Sequence, residues 1–213
     1  MVIIRAAFFL IMNITGKLRQ KSEFFRVAPD KLAACLLGKL IVYTNENETL
    51  SAVITETEAY LSAGDQASHS APGLTKRNAP MFEDGGTIYV YKIYGIHHCF
   101  NIVSQTKGIG SAVLIRAAEP VGGIENMKAN RNTEYIENLC RGPGNFCRAF
   151  GFDLSHNNLN CFCDNIGIYG HIPEGSFSIG NTERIGITKS AGLKLRFFIR
   201  GSRFVSGKIG LNT

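Results

Sequence analysis

Two glutamates and a tyrosine are the residues of this sequence whose types and spacing most directly suggest catalysis. Glu56, Glu58 and Tyr60 occupy alternate positions in a run of strand-forming residues. Side chains alternate between the two faces of a strand, so we expect all three on one face. A carboxylate beside an aromatic ring can act as a general base next to a planar ligand. A solvated outer face of the sheet is the alternative for an acidic pair of this kind.

Three further tyrosines and a histidine could form a site for a flat ligand. Tyr89 and Tyr91 share a face of the next predicted strand, Tyr94 precedes a predicted turn at Gly95, and His69 lies in the loop before them. A nucleobase stacked on such rings gains ~1–3 kcal/mol for each base. An aromatic side chain at a hairpin tip can also enter between base steps of a duplex. A lone tyrosine more commonly folds back onto its sheet.

These residues leave more than one function open. In one alternative the aromatic and basic residues hold a nucleic-acid strand without catalysis, and Glu58 is incidental. In another the protein is a sugar hydrolase that uses Glu56 and Glu58 together. Positions two apart on a strand are ~6.6–6.8 Å apart, which overlaps the carboxylate separation of inverting enzymes.

Nothing in the sequence indicates a metal or another cofactor, and we expect none. His97 and His98 are adjacent on a predicted strand, so their side chains point in opposite directions and cannot easily share one ion. The six cysteines lack zinc-site spacing, and we expect reduced, partly buried thiols.

Length and charge favour one folded domain with an acidic partner. The chain has 213 residues, a net charge of +6 and 45% hydrophobic residues, which excludes a disordered chain or a coiled coil. Residues 51–100 carry five acidic and three basic residues, whereas seven basic residues and no acidic one follow Glu183. Basic flanks around a slightly acidic middle fit a nucleic-acid enzyme, although ordinary solubility charge would give a similar balance.

The N-terminal residues are expected to be a leader outside the folded domain. Residues 6–12 are strongly apolar and resemble part of a signal peptide, but no small-residue cleavage site follows cleanly. The stretch is too short to cross a bilayer, and a start at Met12 would leave only a polar leader. We therefore expect residues 1–22 to be disordered or untranslated. We also expect no membrane association and no secretion: the location would be cytoplasmic, or nuclear in a eukaryote.

Hydrophobic periodicity and turn residues predict the elements that position these groups. Helices are predicted at 29–37, 121–130 and 142–150, and strands at 39–44, 50–60, 87–94, 97–104, 111–117, 161–169 and 194–200. Residues 61–84 are predicted to be a loop with one helical turn near His69. Strands joined by short turns form antiparallel sheets. The prediction is therefore an α+β fold: a single domain with a curved antiparallel sheet, flanking helices and a protruding β-hairpin.

Six ordered blocks of the sequence resemble the alkyladenine DNA glycosylase family, also called the mammalian type of 3-methyladenine DNA glycosylase. The blocks are TETEAYLSAGDQASHS (55–70), RNAPMF (77–82), GTIYVYKIYGIHHCFNIVS (86–104), VLIRAAEP (113–120), LCRGPGNFCRAF (139–150) and LRFFIRGSRFVS (195–206). One block would be weak evidence, but the ordered series over roughly residues 23–206 is specific. The resemblance implies a glycosylase domain at 23–213. The IHH segment at 96–98 and Leu193 depart from the expected family pattern.

The resemblance implies an enzyme that flips alkylated or deaminated purines out of duplex DNA and hydrolyses the bond between base and deoxyribose. The expected bases are 3-methyladenine, 7-methylguanine, hypoxanthine and etheno-adenine. Glu58 matches the family's general base, and Arg116 matches a residue close to the attacking water. No lysine lies in the TETEAY segment to act as an amine nucleophile. Simple hydrolysis that leaves an abasic site without strand cleavage is therefore expected.

The resemblance also implies how DNA and base are bound. Tyr60, His69 and Tyr91 match the aromatic walls of the base pocket, and Asn101 matches a side chain that excludes guanine. Tyr94 matches the wedge that fills the gap left by the flipped nucleotide. The expected partner is double-stranded DNA that contains a damaged purine, bound by a monomer. Basic residues near both ends would contact phosphates without reading sequence.

Overall fold

The computed structural model describes residues 19–162, 164–170, 172 and 175–207. Most of the predicted leader, Cys163 and Lys208 lie outside these ranges. The helices are α1 (Ser22–Phe25), α2 (Pro29–Leu36), α3 (Ile124–Arg131), α4 (Ile136–Leu139) and α5 (Pro143–Phe150). The strands are β1 (Leu40–Thr44), β2 (Thr49–Tyr60), β3 (Ile88–Ile93), β4 (His97–Val103), β5 (Ala112–Gly122), β6 (Ile166–Tyr169), β7 (Ile179–Thr182) and β8 (Arg196–Ile199). Within the described ranges, no helix is long and apolar enough to span a lipid bilayer.

The strands of the described residues form one antiparallel sheet that curls around β2. Its order is β3-β4-β5-β2-β1-β6, and β8 joins β2 to β7. One edge of β2 pairs with β5 over most of its length, while the other edge pairs first with β1 and then with β8. The β2–β5 register shifts on both sides of Glu56. Such bulges bend a strand and increase its twist. The bend allows β8 to pair with the part of β2 that lies beyond its pairing with β1. The predicted α+β single domain with a curved antiparallel sheet is confirmed.

The main core packs helix α5 against β4 through aromatic rings. Phe100, Phe146, Phe150 and Phe152 are almost completely buried. The Phe100 and Phe152 rings stack with centroids 4.6 Å apart. Helix α5 begins at a proline and ends before Gly151, whose φ of 71° suits a glycine. This layer supports the β3–β4 hairpin from one side and leaves the other face of the hairpin for the tyrosines.

The sequence prediction placed most elements correctly and missed others. Strand β5 continues to Gly122, where the prediction ended at 117, because β2 pairs with it along its whole length. Helix α3 accordingly begins at Ile124 rather than 121. The strand predicted at 161–169 is confined to β6, because Asn160 and Asp164 form a hydrogen-bonded turn before it. Strand β7 was missed because its four residues, IGNT, lack strand patterning. A 3-10 helix (Ala79–Phe82) also lies within the long predicted loop.

Cys99, Cys140 and Cys147 are free thiols. Cys99, Cys140, Cys147 and Cys161 are buried, and Cys35 is exposed. Burial raises the pKa of Cys140 and Cys147. The prediction of reduced, buried thiols is confirmed for Cys99, Cys140 and Cys147.

Candidate active site

The two glutamates of β2 are buried rather than solvated. Glu56 and Glu58 each have 0% of their surface exposed, although both are ionisable residues. The interpretation of this acidic pair as an outer, hydrated face is therefore wrong. Buried carboxylates require charged or hydrogen-bonding partners, and the two residues obtain theirs from different parts of the chain.

Glu58 is held by three partners. Its Oε1 accepts a hydrogen bond from the Ile185 N–H at 2.7 Å and lies 3.2 Å from Arg116 Nη1. The Tyr60 hydroxyl donates to Oε2 at 3.1 Å. Burial raises the pKa of Glu58; the Arg116 charge and the Ile185 N–H oppose this effect, and the net shift is upward. A carboxyl with a raised pKa is suited to exchanging a proton closer to neutral pH.

Glu56 faces a different set of donors and orients Arg116. Its Oε1 accepts hydrogen bonds from Arg116 Nε at 3.1 Å, Arg196 Nε at 2.6 Å and Ser206 Oγ at 2.9 Å. The Ser206 N–H donates to Oε2 at 2.7 Å. Arg116 therefore lies between the two carboxylates with one nitrogen directed to each. Sequence reasoning missed Arg196 and Ser206 because only the sheet pairing brings β8 beside Glu56.

Arg116 remains a cation in this buried position. Burial alone would lower the pKa of its guanidinium, but the carboxylates of Glu58 and Glu56 raise it above the usual value. The site therefore contains a fixed positive charge 3.2 Å from a Glu58 oxygen.

An aromatic cavity of about 170 Å³ adjoins this carboxylate. The four residues matched to the base pocket all line it, together with Tyr89 and several others. The His69 and Tyr91 rings have centroids 4.5 Å apart, and Tyr89 and Tyr91 have centroids 5.4 Å apart. The lining residues are Tyr60, Ala67, His69, Arg77, Met81, Tyr89, Tyr91, Ile93, Asn101 and Ile187.

Hydrogen bonds fix the polar groups of this cavity. His69 Nδ1 and the Tyr89 hydroxyl are 2.9 Å apart. The Asn101 amide donates to the carbonyl of Tyr89 at 2.9 Å and to that of Cys99 at 3.3 Å. Burial lowers the pKa of His69, and the charge of Arg77 lowers it further; both effects favour the neutral imidazole. The cavity therefore presents aromatic rings, a rigid amide and the side chain of Arg77.

A second cavity of about 360 Å³ lies between the hairpin and α5 and connects the site to solvent. Tyr60 and Tyr91 line both cavities, and Tyr94 lines only this one. Arg116 and Ile185, the other two partners of Glu58, also line it. Glu58 thus has no exposed surface of its own and lies directly behind the wall that its three partners form.

Tyr94 projects from the tip of the hairpin. Its side chain is 82% exposed, and the neighbouring Ile96 is 73% exposed. Tyr94 and Gly95 both have positive φ angles, 52° and 72°, which is uncommon for a tyrosine. The turn holds a large ring away from the sheet instead of letting it fold back. A bulky apolar tip of this kind has the shape of a wedge for base steps.

Comparison with known proteins identifies the family. Residues 23–203 match the family model described as methylpurine-DNA glycosylase (MPG). The chain belongs to the methylpurine-DNA glycosylase family. It is accordingly a hydrolase of N-glycosyl bonds that acts on DNA in base excision repair.

Three relatives illustrate the extent of the similarity, and each carries the name "Putative 3-methyladenine DNA glycosylase". The protein of Chlorobium phaeobacteroides is 46% identical over 187 residues, covering 87% of this chain and 94% of the relative. The protein of Methanoculleus marisnigri is 45% identical over 178 residues, or 82% and 92% of the two chains. The Francisella tularensis protein (strain SCHU S4) is 42% identical over 176 residues, or 81% and 91%.

Proposed function

We propose that this methylpurine-DNA glycosylase family member flips an alkylated or deaminated purine out of duplex DNA and hydrolyses its N-glycosidic bond. The substrates are 3-methyladenine, 7-methylguanine, hypoxanthine and etheno-adenine. One observation carries the proposal: Glu58 lies directly behind Tyr60, a wall residue of the aromatic cavity, and hydrogen-bonds to it at 3.1 Å. Tyr60 therefore separates the Glu58 carboxylate from the aromatic cavity and contacts both.

In the proposed mechanism Glu58 is the general base. N-glycosidic cleavage passes through an oxocarbenium-like state, so a carboxylate stabilises the developing positive charge and takes a proton from water. Arg116 stands 3.2 Å from Glu58 and favours its ionised form. All three partners of Glu58 line the larger cavity. The larger cavity therefore reaches the side of Glu58 on which these three partners lie.

Tyr60, His69 and Tyr91 are proposed to bind the flipped base. Cationic alkylated purines gain cation–π attraction from electron-rich rings and are already good leaving groups. Weakly paired bases cost least to flip, which adds selectivity. Asn101, whose amide is held by two backbone carbonyls, is proposed to exclude guanine. Tyr94 is proposed to occupy the gap left in the duplex.

Strand cleavage is not part of the proposal. A lyase step needs an amine nucleophile. Lys92 on β3 is exposed and absent from the residues that line the two cavities described above. The proposed product is an abasic site in intact DNA. We propose a monomer that works where the DNA is: in the cytoplasm, or in the nucleus of a eukaryote.

The contacts argue against a sugar hydrolase that uses both glutamates. Arg116 bridges Glu56 and Glu58 at 3.1 and 3.2 Å, so a guanidinium occupies the space between the carboxylates. Glu56 has four hydrogen bonds from buried donors. Neither arrangement leaves room for a sugar between the two acids.

The test uses a duplex oligonucleotide with one hypoxanthine and measures base release and strand breakage separately. The wild type should release hypoxanthine and leave an alkali-labile but uncut strand. Glu58→Gln should lose roughly 10²–10⁴-fold in rate, while Glu46→Gln, in the exposed β1–β2 turn, should match the wild type. Binding without release by the wild type would instead support a non-catalytic binding module.

A further inference from the structure

Arg184 and Asp65 form a buried ion pair that joins two distant segments of the chain. Arg184 Nη1 is 2.6 Å from Asp65 Oδ2, and Nη2 is 2.7 Å from Asp65 Oδ1. Both side chains are fully buried. Asp65 also accepts the Leu61 and Ala67 N–H groups at 3.1 Å each. The pair therefore fixes the loop that begins directly after Tyr60.

The same guanidinium stacks on Tyr60. Arg184 Cζ lies 4.6 Å from the centroid of the Tyr60 ring. Nη1 also donates to the carbonyl of Ala59, the residue before Tyr60, at 2.9 Å. Tyr60 lines both cavities and Arg184 lines neither, so the arginine supports the ring from behind the wall.

Arg184 directly precedes the residue that binds the general base. The Ile185 N–H donates to Glu58 Oε1 at 2.7 Å. The Ile185 N–H belongs to the peptide unit that begins at the Arg184 carbonyl, so anchoring Arg184 restricts the direction of this N–H. Arg184 Nε, moreover, is buried and has no hydrogen-bond partner within the described residues. A buried N–H without a partner costs stability.

We propose that Arg184 is a positioning residue for the glycosylase reaction. Anchored by Asp65, it sets the Tyr60 ring that forms the slot and the Ile185 N–H that orients and acidifies Glu58. One side chain thereby couples the shape of the base pocket to the ionisation of the general base. This inference rests on the proposed role of Glu58 and adds to it a residue that touches neither base nor water.

The acid limb of the pH–rate profile distinguishes positioning from a purely structural role. The Ile185 N–H lowers the pKa of Glu58, so its misplacement raises that pKa and moves the acid limb of kcat/KM to higher pH. Arg184→Met should shift the limb upward by about 0.5–1 pH unit and reduce kcat/KM at neutral pH by roughly 10–100-fold. Loss of the Arg184 charge, which also interacts with Glu58, raises the same pKa, whereas Arg184→Lys keeps that charge, so a shift in the lysine variant reports positioning. The other charged or titratable groups that face Glu58 are Glu56, Tyr60, Cys99, Arg116 and Arg196.

Arg203 offers a matched control. It also pairs with a carboxylate, Glu137, at 3.1 Å and stacks on a ring, Phe204, at 5.1 Å, but its side chain is 70% exposed. Arg203→Met should leave the acid limb unchanged. Arg184→Lys keeps the charge opposite Asp65 but lacks the planar fork that stacks and binds bidentately; it should fold and show an intermediate shift.

The outcomes separate this inference from the proposed function. If the wild type releases no base, the proposed function fails, and the inference fails with it. If the wild type is active and a folded Arg184→Lys or Arg184→Met variant keeps its acid limb and rate, only the positioning role is wrong. If Arg184→Met does not fold, the acid limb of kcat/KM for Arg184→Lys tests the positioning role instead.

Discussion

At the scale of single residues, two glutamates only two positions apart have different surroundings. Glu56 accepts four hydrogen bonds from buried donors and lines neither cavity. Glu58 accepts from three residues that all line the larger cavity. The first carboxylate is enclosed by protein, while the second is separated from the larger cavity by these three partners. The partners, rather than the residue type, determine which glutamate can meet a substrate.

Glu56→Gln should damage the fold more than the chemistry. It removes a buried charge from between Arg116 and Arg196, and breaking such a network costs about 3–5 kcal/mol of unfolding free energy. Base release per folded molecule should fall far less than in Glu58→Gln. Urea unfolding and single-turnover release check this. Equal loss of turnover in the two folded variants would revive the sugar-hydrolase alternative.

Asn101→Ser should admit guanine to the pocket. The amide is only 3% exposed and is immobilised by two backbone carbonyls; the shorter side chain cannot fill the same space. Pocket changes of this size alter discrimination by about 1–3 kcal/mol, or roughly 10–200-fold. Release of guanine from a G·T duplex should rise relative to release of hypoxanthine. An unchanged ratio in a folded variant would contradict the gatekeeping role.

At the scale of elements, the β3–β4 hairpin separates support from recognition. Val90 and Phe100 belong to the main core, whereas Tyr89 and Asn101, one position away on each strand, line the aromatic cavity. The strand period of two residues produces this division. The tip beyond them carries Tyr94 in solvent. The hairpin is thus anchored on one face and open on the other.

Tyr94→Ala should impair duplex repair without unfolding the protein. The ring is 82% exposed, so the free energy of unfolding should change by less than about 0.5 kcal/mol. Flipping costs a few kcal/mol and applies only to a stacked duplex. Excision from duplex DNA should therefore slow by about tenfold or more, while excision from single strands changes less.

Tyr135→Ala is the matched control for the hairpin, because Tyr135 is also exposed, at 71%, but lies between α3 and α4. Its duplex and single-strand rates should equal those of the wild type. Equal rates for Tyr94→Ala and wild type on duplex DNA would remove the wedge role.

At the scale of the whole molecule, the curved sheet brings together residues far apart in sequence. Strand β8 pairs with β2 at Glu56 to Glu58 although about 140 residues separate them. The loop after Tyr60 is joined to Arg184 over 119 positions. The site is therefore complete only when these distant strands and loops have paired. The ion pairs that join them contain titratable carboxyl groups and therefore make stability depend on pH.

The Asp65–Arg184 pair should make part of the stability depend on pH. Burial raises the pKa of Asp65, but hydrogen bonds from Arg184 and two backbone N–H groups prevail and hold it below its usual value. A carboxyl with a depressed pKa stabilises the fold above its unfolded pKa of about 3.9, and this contribution is lost as the pH falls through the folded value.

Asp65→Asn should therefore be less stable than the wild type at pH 7, by about 3–5 kcal/mol for a broken buried pair. The difference in unfolding free energy should shrink as the pH falls below about 4. Urea unfolding from pH 3 to 7 measures it. A difference that stays constant over this range would show that the Asp65 charge does not supply the stability.

Much of the site could be predicted from the sequence because local rules govern it. The alternation of β2 places Glu56, Glu58 and Tyr60 on one face of the strand, and the YVY segment of β3 places Tyr89 and Tyr91 on one face. The proline and glycine that bound α5 mark its ends. Strand β7 and the full length of β5 were missed, since pairing with a neighbouring strand, rather than their own composition, stabilises them.

The sequence by itself determined the fold class, the family and the residue types available for catalysis, because periodicity, turn residues and ordered motifs are properties of the chain. Only the tertiary structure decided that both glutamates are buried, that Arg116 lies between them and that Arg184 supports Tyr60. Burial and ion pairing depend on contacts between residues up to 150 positions apart. No local pattern specifies such contacts, because they form only when the sheet curls.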